Sequence, residues 1–170
     1  MTHSILVVDD QQPLLDLLRE ALQRESYQVF CADSAEGALA ILSQKPIDVI
    51  ISDDKMPGMS GTELLRVARK TYPEAIRIIL TGHANLHSAL RAINEGEVYR
   101  FFTKPCNLIE LTVTVRQALQ QQDLLKENER LLTMVNKQAL SIRAMEKRYP
   151  GISKVKRDPG GAIIIDEDIE

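Results

Sequence analysis

From residue 3 to about residue 105 the chain alternates short apolar runs with amphipathic stretches, and this alternation limits the possible folds more than any other property of the sequence. Ile5-Leu6-Val7-Val8, Val49-Ile50-Ile51, Ile76-Arg77-Ile78-Ile79-Leu80 and Val98-Tyr99-Arg100-Phe101-Phe102 read as buried strands. Tyr27 to Ala32 reads as a further strand, and Ile47 to Ser52 frames the run at Val49. Between them lie helical patterns with turn and cap signals. Pro13 suits the first turn of a helix whose inner face carries Leu14, Leu15, Leu17, Leu18, Ala21 and Leu22. Asp33 or Ser34 can cap a second helix with Ala35, Ala38, Leu39 and Leu42 facing inward. After the turn-rich loop Met56-Pro57-Gly58-Met59-Ser60-Gly61, Ser60 caps a third helix bearing Leu64, Leu65, Val67 and Ala68. A fourth is expected from Ala84 to Glu95, ending at Gly96. Strands alternating with helices predict an α/β domain, a parallel sheet with helices on both faces. Right-handed crossovers with one reversal of winding favour strand order 2-1-3-4-5.

Each buried run ends in polar residues: Asp9-Asp10, Asp53, Thr81 and Lys104-Pro105. In such a sheet the carboxyl ends of neighbouring strands open onto one crevice, so four signals far apart in sequence describe one site. Their chemistry is that of an acyl-phosphate switch. A carboxylate such as Asp53 can attack a phosphoryl group. Asp9, Asp10 and Asp53, with the backbone carbonyl of Lys55 completing the shell, form a hard oxygen set suited to Mg²⁺. Thr81 can donate its hydroxyl to a phosphoryl oxygen, Gly82 leaves room beside it, and Lys104 can reach the same phosphate as a point charge. The peptide before Pro105 is a candidate cis bond that would aim Lys104 inward. Each residue alone has a plainer reading as a loop start, a cap or a turn; their joint occurrence in order at successive strand ends does not.

On these residues the stretch from 3 to 122 resembles the receiver domain of bacterial two-component response regulators. The motifs are Ile5-Leu6-Val7-Val8-Asp9-Asp10, Asp53 through Gly61, Leu80-Thr81-Gly82 and Phe101-Phe102-Thr103-Lys104-Pro105. The resemblance implies a flavodoxin-like doubly wound five-stranded sheet and phosphotransfer from a histidine kinase to Asp53. It also implies Mg²⁺ dependence, slow self-hydrolysis and no further enzymatic activity. It marks Phe101 as the aromatic switch position that answers Thr81, altering the surface made by the helix over 84–95, the fifth strand and the helix that follows. Glu95 through Pro105 also looks like receivers joined to cyclic-di-GMP phosphodiesterase domains or hydrogenase-type regulators. From residue 123 the chain departs from those: it shows no HD pair followed by a GYP segment, no helix-turn-helix and no nucleotide-binding glycine loop. Asp54 and Lys55 are unusual after the phosphoacceptor, and Lys55 and His83 flank the site where they would tune phosphoryl lifetime.

Residues 107 to 149 contain neither Gly nor Pro and read as one very long helix. Leu108, Leu111, Val115, Ala118 and Leu119 give its first part a face for the sheet. Its second part carries a heptad-like seam at Leu124, Asn128, Leu131, Val135, Gln138, Ile142 and Met145. That seam suits a homodimer, with Asn128 fixing register and two-strandedness; a single solvated helix, or one folded back on its own domain, also fits it. The organisation expected is a receiver domain over 1–122, an extended helix over 123–149 and a tail over 150–170 with a hairpin pattern at Val155 to Ile165.

The apolar fraction of 44% supports a core, and with aromatics at 4% and no Trp that core must be aliphatic. A net charge of -3 without a basic block argues against DNA as a partner. No run of about 18 apolar residues occurs, so no membrane span is expected, and a cytoplasmic setting fits Cys31 and Cys106 as free buried thiols. His83 and His87 share a spacing of four but have no third ligand nearby, so they make a poor zinc site. His3 reads as a surface residue, and Met56 and Met59 as packing residues. Output is therefore expected through an unidentified protein partner. A phosphorelay intermediate passing phosphate to a histidine phosphotransfer protein is the alternative. A haloacid dehalogenase-type phosphatase would need Asp-x-Asp after the first strand, where this chain has Asp9-Asp10-Gln11.

Overall fold

The computed structural model describes residues 2–82 and 98–150; the helix expected over 84–95, Gly96, His83, His87 and the hairpin at 155–165 lie outside the described residues. The chain divides into two units, Met1–Gln121 and Gln122–Glu170. The first is built on β1 (Ser4–Val8), β2 (Gln28–Ala32), β3 (Val49–Asp53), β4 (Ile76–Thr81) and β5 (Arg100–Thr103). They pair in parallel in the order β2-β1-β3-β4-β5, as the alternation predicts. The helices are α1 (Gln12–Gln23), α2 (Ala35–Gln44), α3 (Gly61–Thr71) and the long α4 (Leu108–Arg148).

Successive strand residues point to opposite faces, and both faces are covered, which is why the middles of β1, β3 and β4 carry apolar residues on both sides. Ile5, Val7, Val49, Ile51, Ile78, Leu80 and Phe102 pack with α1 and the first part of α4. Leu6, Val8, Ile50 and Ile79 pack with α2 and α3, and half-buried Phe101 joins them. The adjacent phenylalanines are thus divided between the two layers.

Helix starts follow the local chemistry. Pro13 occupies the first turn of α1. Ser34, rather than Asp33, caps α2 by accepting from the Gly37 N–H. Ser60 and Glu63 form a reciprocal capping box on α3. The inner faces are narrower than the apolar pattern suggests. Leu17 and Val67 are exposed, while Leu15, Leu18 and Leu22 of α1 and Leu64, Leu65 and Ala68 of α3 are buried. A helix seated on a sheet buries only one stripe, and residues 17 and 67 stand off it. β5 begins at Arg100, later than expected, though Val98 before it is buried. Cys31 and Cys106 are free and half-buried rather than buried; the Arg19 Nε–H donates to Cys31 Sγ at 3.3 Å. His3 is half-buried, with Nδ1 3.5 Å from Asp48 Oδ2 and its ring against Tyr27. Among the described residues no helix is long and apolar enough to cross a membrane.

Candidate functional site

Strand register assembles the site. Val8 of β1 pairs with Ser52 of β3, so the next residues, Asp9 and Asp53, end their strands side by side. Asp53 pairs with Leu80, and Thr81 pairs with Thr103, whose successor is Lys104. The Lys104 N–H donates to the Thr81 carbonyl at 2.8 Å and the Asp54 N–H to the Leu80 carbonyl at 2.8 Å, tying these ends together. The Lys104–Pro105 peptide is cis.

Asp9 is completely buried, Asp53 and Thr81 nearly so, and Asp10 is exposed. One carboxylate oxygen from each of Asp9, Asp10 and Asp53 lies within 4.8 Å of the other two. Lys104 Nζ donates to Asp9 Oδ2 at 2.7 Å and stands 3.0 Å from Asp53 Oδ1. Asp9 Oδ1 accepts from the Gln11 N–H at 2.8 Å. Burial is the dominant influence on Asp53 and holds its pKa above the ordinary carboxylate value, against the pull of Lys104. Burial lowers Lys104, but its hydrogen bonds to Asp9 and Asp53 outweigh that and leave the ammonium pKa raised. Three carboxylates converging beside a strand end form the hard oxygen set that Mg²⁺ takes.

Of the residues singled out from sequence, Asp9, Asp10, Asp53 and Lys104 are brought together directly. Thr81 stands at the end of the neighbouring strand, and Phe101 lies in the layer beneath, two residues before Thr103 in β5 and opposite Ile79 of β4. Lys55 is exposed in the loop after β3.

Two residues of the site, Ser52 and Thr62, were not singled out from sequence, and Gly61 entered only as a turn and motif residue. Ser52 Oγ donates to the Asp53 carbonyl at 3.0 Å. Thr62 Oγ1 donates to Asp54 Oδ1 at 2.6 Å, and the Gly61 N–H to the Asp54 carbonyl at 3.1 Å. Gly61 lies so close to β3 that a Cβ there would sit 1.8 Å from the Asp53 carbonyl oxygen. The available signal was a glycine at the first position of α3, where it is a poor helix former unless space demands it.

A raised Asp53 pKa means that the folded state holds the Asp53 proton more tightly than the unfolded chain, so stability falls as pH rises through its titration. Asp53→Asn removes that loss. The variant is expected to melt a few degrees higher at neutral pH, on the order of 1 kcal/mol. The gain should vanish on acidification below the ordinary carboxylate value, about 4. Thermal melts at pH 7 and pH 3.5 check both parts.

Residues 5–116 match the family described as the response regulator receiver domain, and the chain belongs to that family. Among curated proteins it is 37% identical over 128 residues to the hydrogenase transcriptional regulatory protein HoxA of Cupriavidus necator, covering 75% of this chain and 26% of HoxA. It is 33% identical over 150 residues to the transcriptional regulatory protein GlrR of Escherichia coli K12, covering 86% of this chain and 34% of GlrR. The chain therefore spans roughly a quarter to a third of those relatives' length. Among solved structures it resembles the signal receiver domain of an HD domain-containing protein from Pseudomonas fluorescens Pf-5. There the identity is 38% and the TM-score 0.68, over 72% of this chain and 98% of that one. Receiver domains are phosphorylated by histidine kinases and hold Mg²⁺ at acidic residues, the kind of cluster Asp9, Asp10 and Asp53 form here.

Proposed function

We propose that this chain is the phosphorylation switch of a two-component system, with Asp53 as phosphoacceptor. The observation that carries this reading is Lys104 Nζ bridging Asp9 and Asp53 inside a three-carboxylate cluster. An Asp53 carboxylate oxygen attacks the phosphorus of a kinase phosphohistidine. The new O–P bond forms as the N–P bond breaks, and the imidazole leaves with the electron pair. Asp9, Asp10, Asp53 and the Lys55 carbonyl would hold Mg²⁺, which would supply neutralisation of the phosphoryl charge. Lys104 exchanges its carboxylate contacts for a phosphoryl oxygen, and the Thr81 hydroxyl donates to another. Drawing Thr81 toward the phosphate changes the space above Ile79, where Phe101 packs, and so biases the β4–β5 surface between two packings. Output follows through altered protein contact, including pairing of two copies through the seam at Leu124, Leu131, Val135, Ile142 and Met145, all exposed in the single chain.

Incubation with acetyl phosphate and Mg²⁺ is expected to add one phosphoryl group, seen by intact mass, that is absent without Mg²⁺ and absent from Asp53→Asn. Addition to the variant would sink the assignment of Asp53. Beryllofluoride with Mg²⁺ should shift the sedimentation of wild type and leave the variant unchanged; an unaltered distribution in both would sink the output reading alone.

A further inference from the structure

The exposed seam of α4 has a symmetry that its heptads do not require. Reflected about Thr133, Leu131 falls on Val135, Asn128 on Gln138, and Leu124 on Ile142. In these three pairs apolar meets apolar and amide meets amide, while the last seam residue, Met145, reflects onto Gln121, outside the second unit. Reversing one helix interchanges the three- and four-residue spacings of a heptad, so each layer of an antiparallel pair joins residues related in this way.

Charge follows the same division. Before Thr133 in the second unit, Asp123, Glu127 and Glu129 against Lys126 and Arg130 leave a net -1. After it, as far as the end of α4, Lys137, Arg143, Lys147 and Arg148 against Glu146 leave +3. A parallel pair sets +3 beside +3; an antiparallel pair sets +3 beside -1. The flanking positions agree. In parallel register Glu127 faces Leu132 of the second copy, pressing a carboxylate against an apolar side chain. Antiparallel, Leu132 and Met134, both exposed in the single chain, cluster about the central axis.

We propose that the second unit pairs with a second copy of this chain in antiparallel orientation, with a two-fold axis at Thr133 and Asn128 bonded to Gln138 of the other copy. The proposal rests on the dimer reading above and adds its orientation. The exposed face of α4 carrying Gln138 and Ile142 is then covered by the other copy's Asn128 and Leu124.

The test is a spin-label distance on the full chain carrying Cys31→Ser, Cys106→Ser and Lys147→Cys. Lys147 lies 14 residues beyond Thr133. Two labels in an antiparallel dimer are therefore about 42 Å apart along the axis at about 1.5 Å per residue. In a parallel dimer they stay within about 25 Å, the helix spacing plus label arms. A dimeric mass with the long distance is the expected result. A dimeric mass with the short distance overturns the orientation and leaves the dimer reading standing. A monomeric mass without dipolar coupling overturns both. A second measurement keeps the native cysteines: dimer dissociation constants of Asn128→Leu, Gln138→Leu and the double variant. Antiparallel pairing predicts a double variant at least tenfold tighter than the product of the single effects, because each single change leaves an amide facing Leu. Additive effects mean that each residue meets its own copy, and overturn the proposal.

Discussion

Replacing Lys104 by Met is expected to destabilise the metal-free domain by about 3 kcal/mol. Met keeps most of the apolar stem and removes the charge. Asp9 and Asp53 are then left as neighbouring buried carboxylates without the ammonium that now stands 2.7 and 3.0 Å from their oxygens. The pH dependence has a definite sign. In the native chain the raised Lys104 pKa contributes stability fully present below the ordinary lysine value of 10.5, lost as pH rises through the folded value. In the variant Asp53 loses the ammonium that favours its ionised form, so the deficit should narrow as pH falls through the Asp53 titration. The divalent cation gives the sharper test. The ammonium competes with any cation for Asp9 and Asp53, so millimolar Mg²⁺ should recover more stability in Lys104→Met than in wild type. Phosphotransfer should nevertheless slow by roughly 10²-fold, because one charge aimed at the phosphoryl group is gone. Urea titrations in chelator and in Mg²⁺, with a phosphorylation time course, check all three. Equal Mg²⁺ recovery in both proteins would show that Lys104 does not guard the acidic cluster.

The parts of this site that were legible in the sequence are those in which one residue announces both its place and its chemistry. Asp9, Asp53 and Lys104 each follow an apolar run, and a parallel sheet carries every such run to the same edge, so register needed no further information. Phe101 and Phe102 were legible in the same way, since period-two alternation must send adjacent strand residues to opposite layers. Leu17 and Val67 were misplaced because apolar type marks what a helix can bury, whereas the sheet decides how wide a stripe it covers. Gly61 was read as a turn and motif residue, and its close approach to β3 was missed for another reason. Its importance lies in a distance to the Asp53 backbone, at which the sequence hints only by placing glycine at the first position of α3. The long helix is an intermediate case. Its periodicity was plain, and Leu111, Val115 and Leu119 are buried by the sheet, but the same pattern continues past Leu124, where no described residue covers it. Periodicity therefore reports that a face is apolar without naming what meets it.

Gly61→Ala is expected to be the most damaging small substitution at the site. The added Cβ would lie 1.8 Å from the Asp53 carbonyl oxygen, 2.8 Å from its carbonyl carbon and 2.7 Å from Ser52 Oγ. Two of these three are backbone atoms of β3, a strand hydrogen-bonded on both sides, so no side-chain rotation can relieve the contact. Either β3 or the start of α3 must move. Overpacking of a well-packed site costs about 1–3 kcal/mol when side chains can yield, and the upper end or beyond is expected here. The functional loss should be larger than the loss of stability implies. The displaced atoms belong to Asp53, and a shift of about 1 Å in a reacting group can cost roughly 10²-fold in rate. Movement of α3 would also strain the Thr62–Asp54 and Gly61–Asp54 hydrogen bonds that anchor the loop carrying Lys55. Gly82→Ala is the control for stability alone: a Cβ there meets no described atom within 4 Å, and a change within about 0.5 kcal/mol is expected. Urea midpoints for both variants, and phosphorylation by acetyl phosphate at a temperature where each stays folded, separate the two effects. A Gly61→Ala protein that phosphorylates at the wild-type rate while folded would mean that Asp53 is positioned by its strand alone. A slow one would place the close approach of α3 among the features that aim the carboxylate.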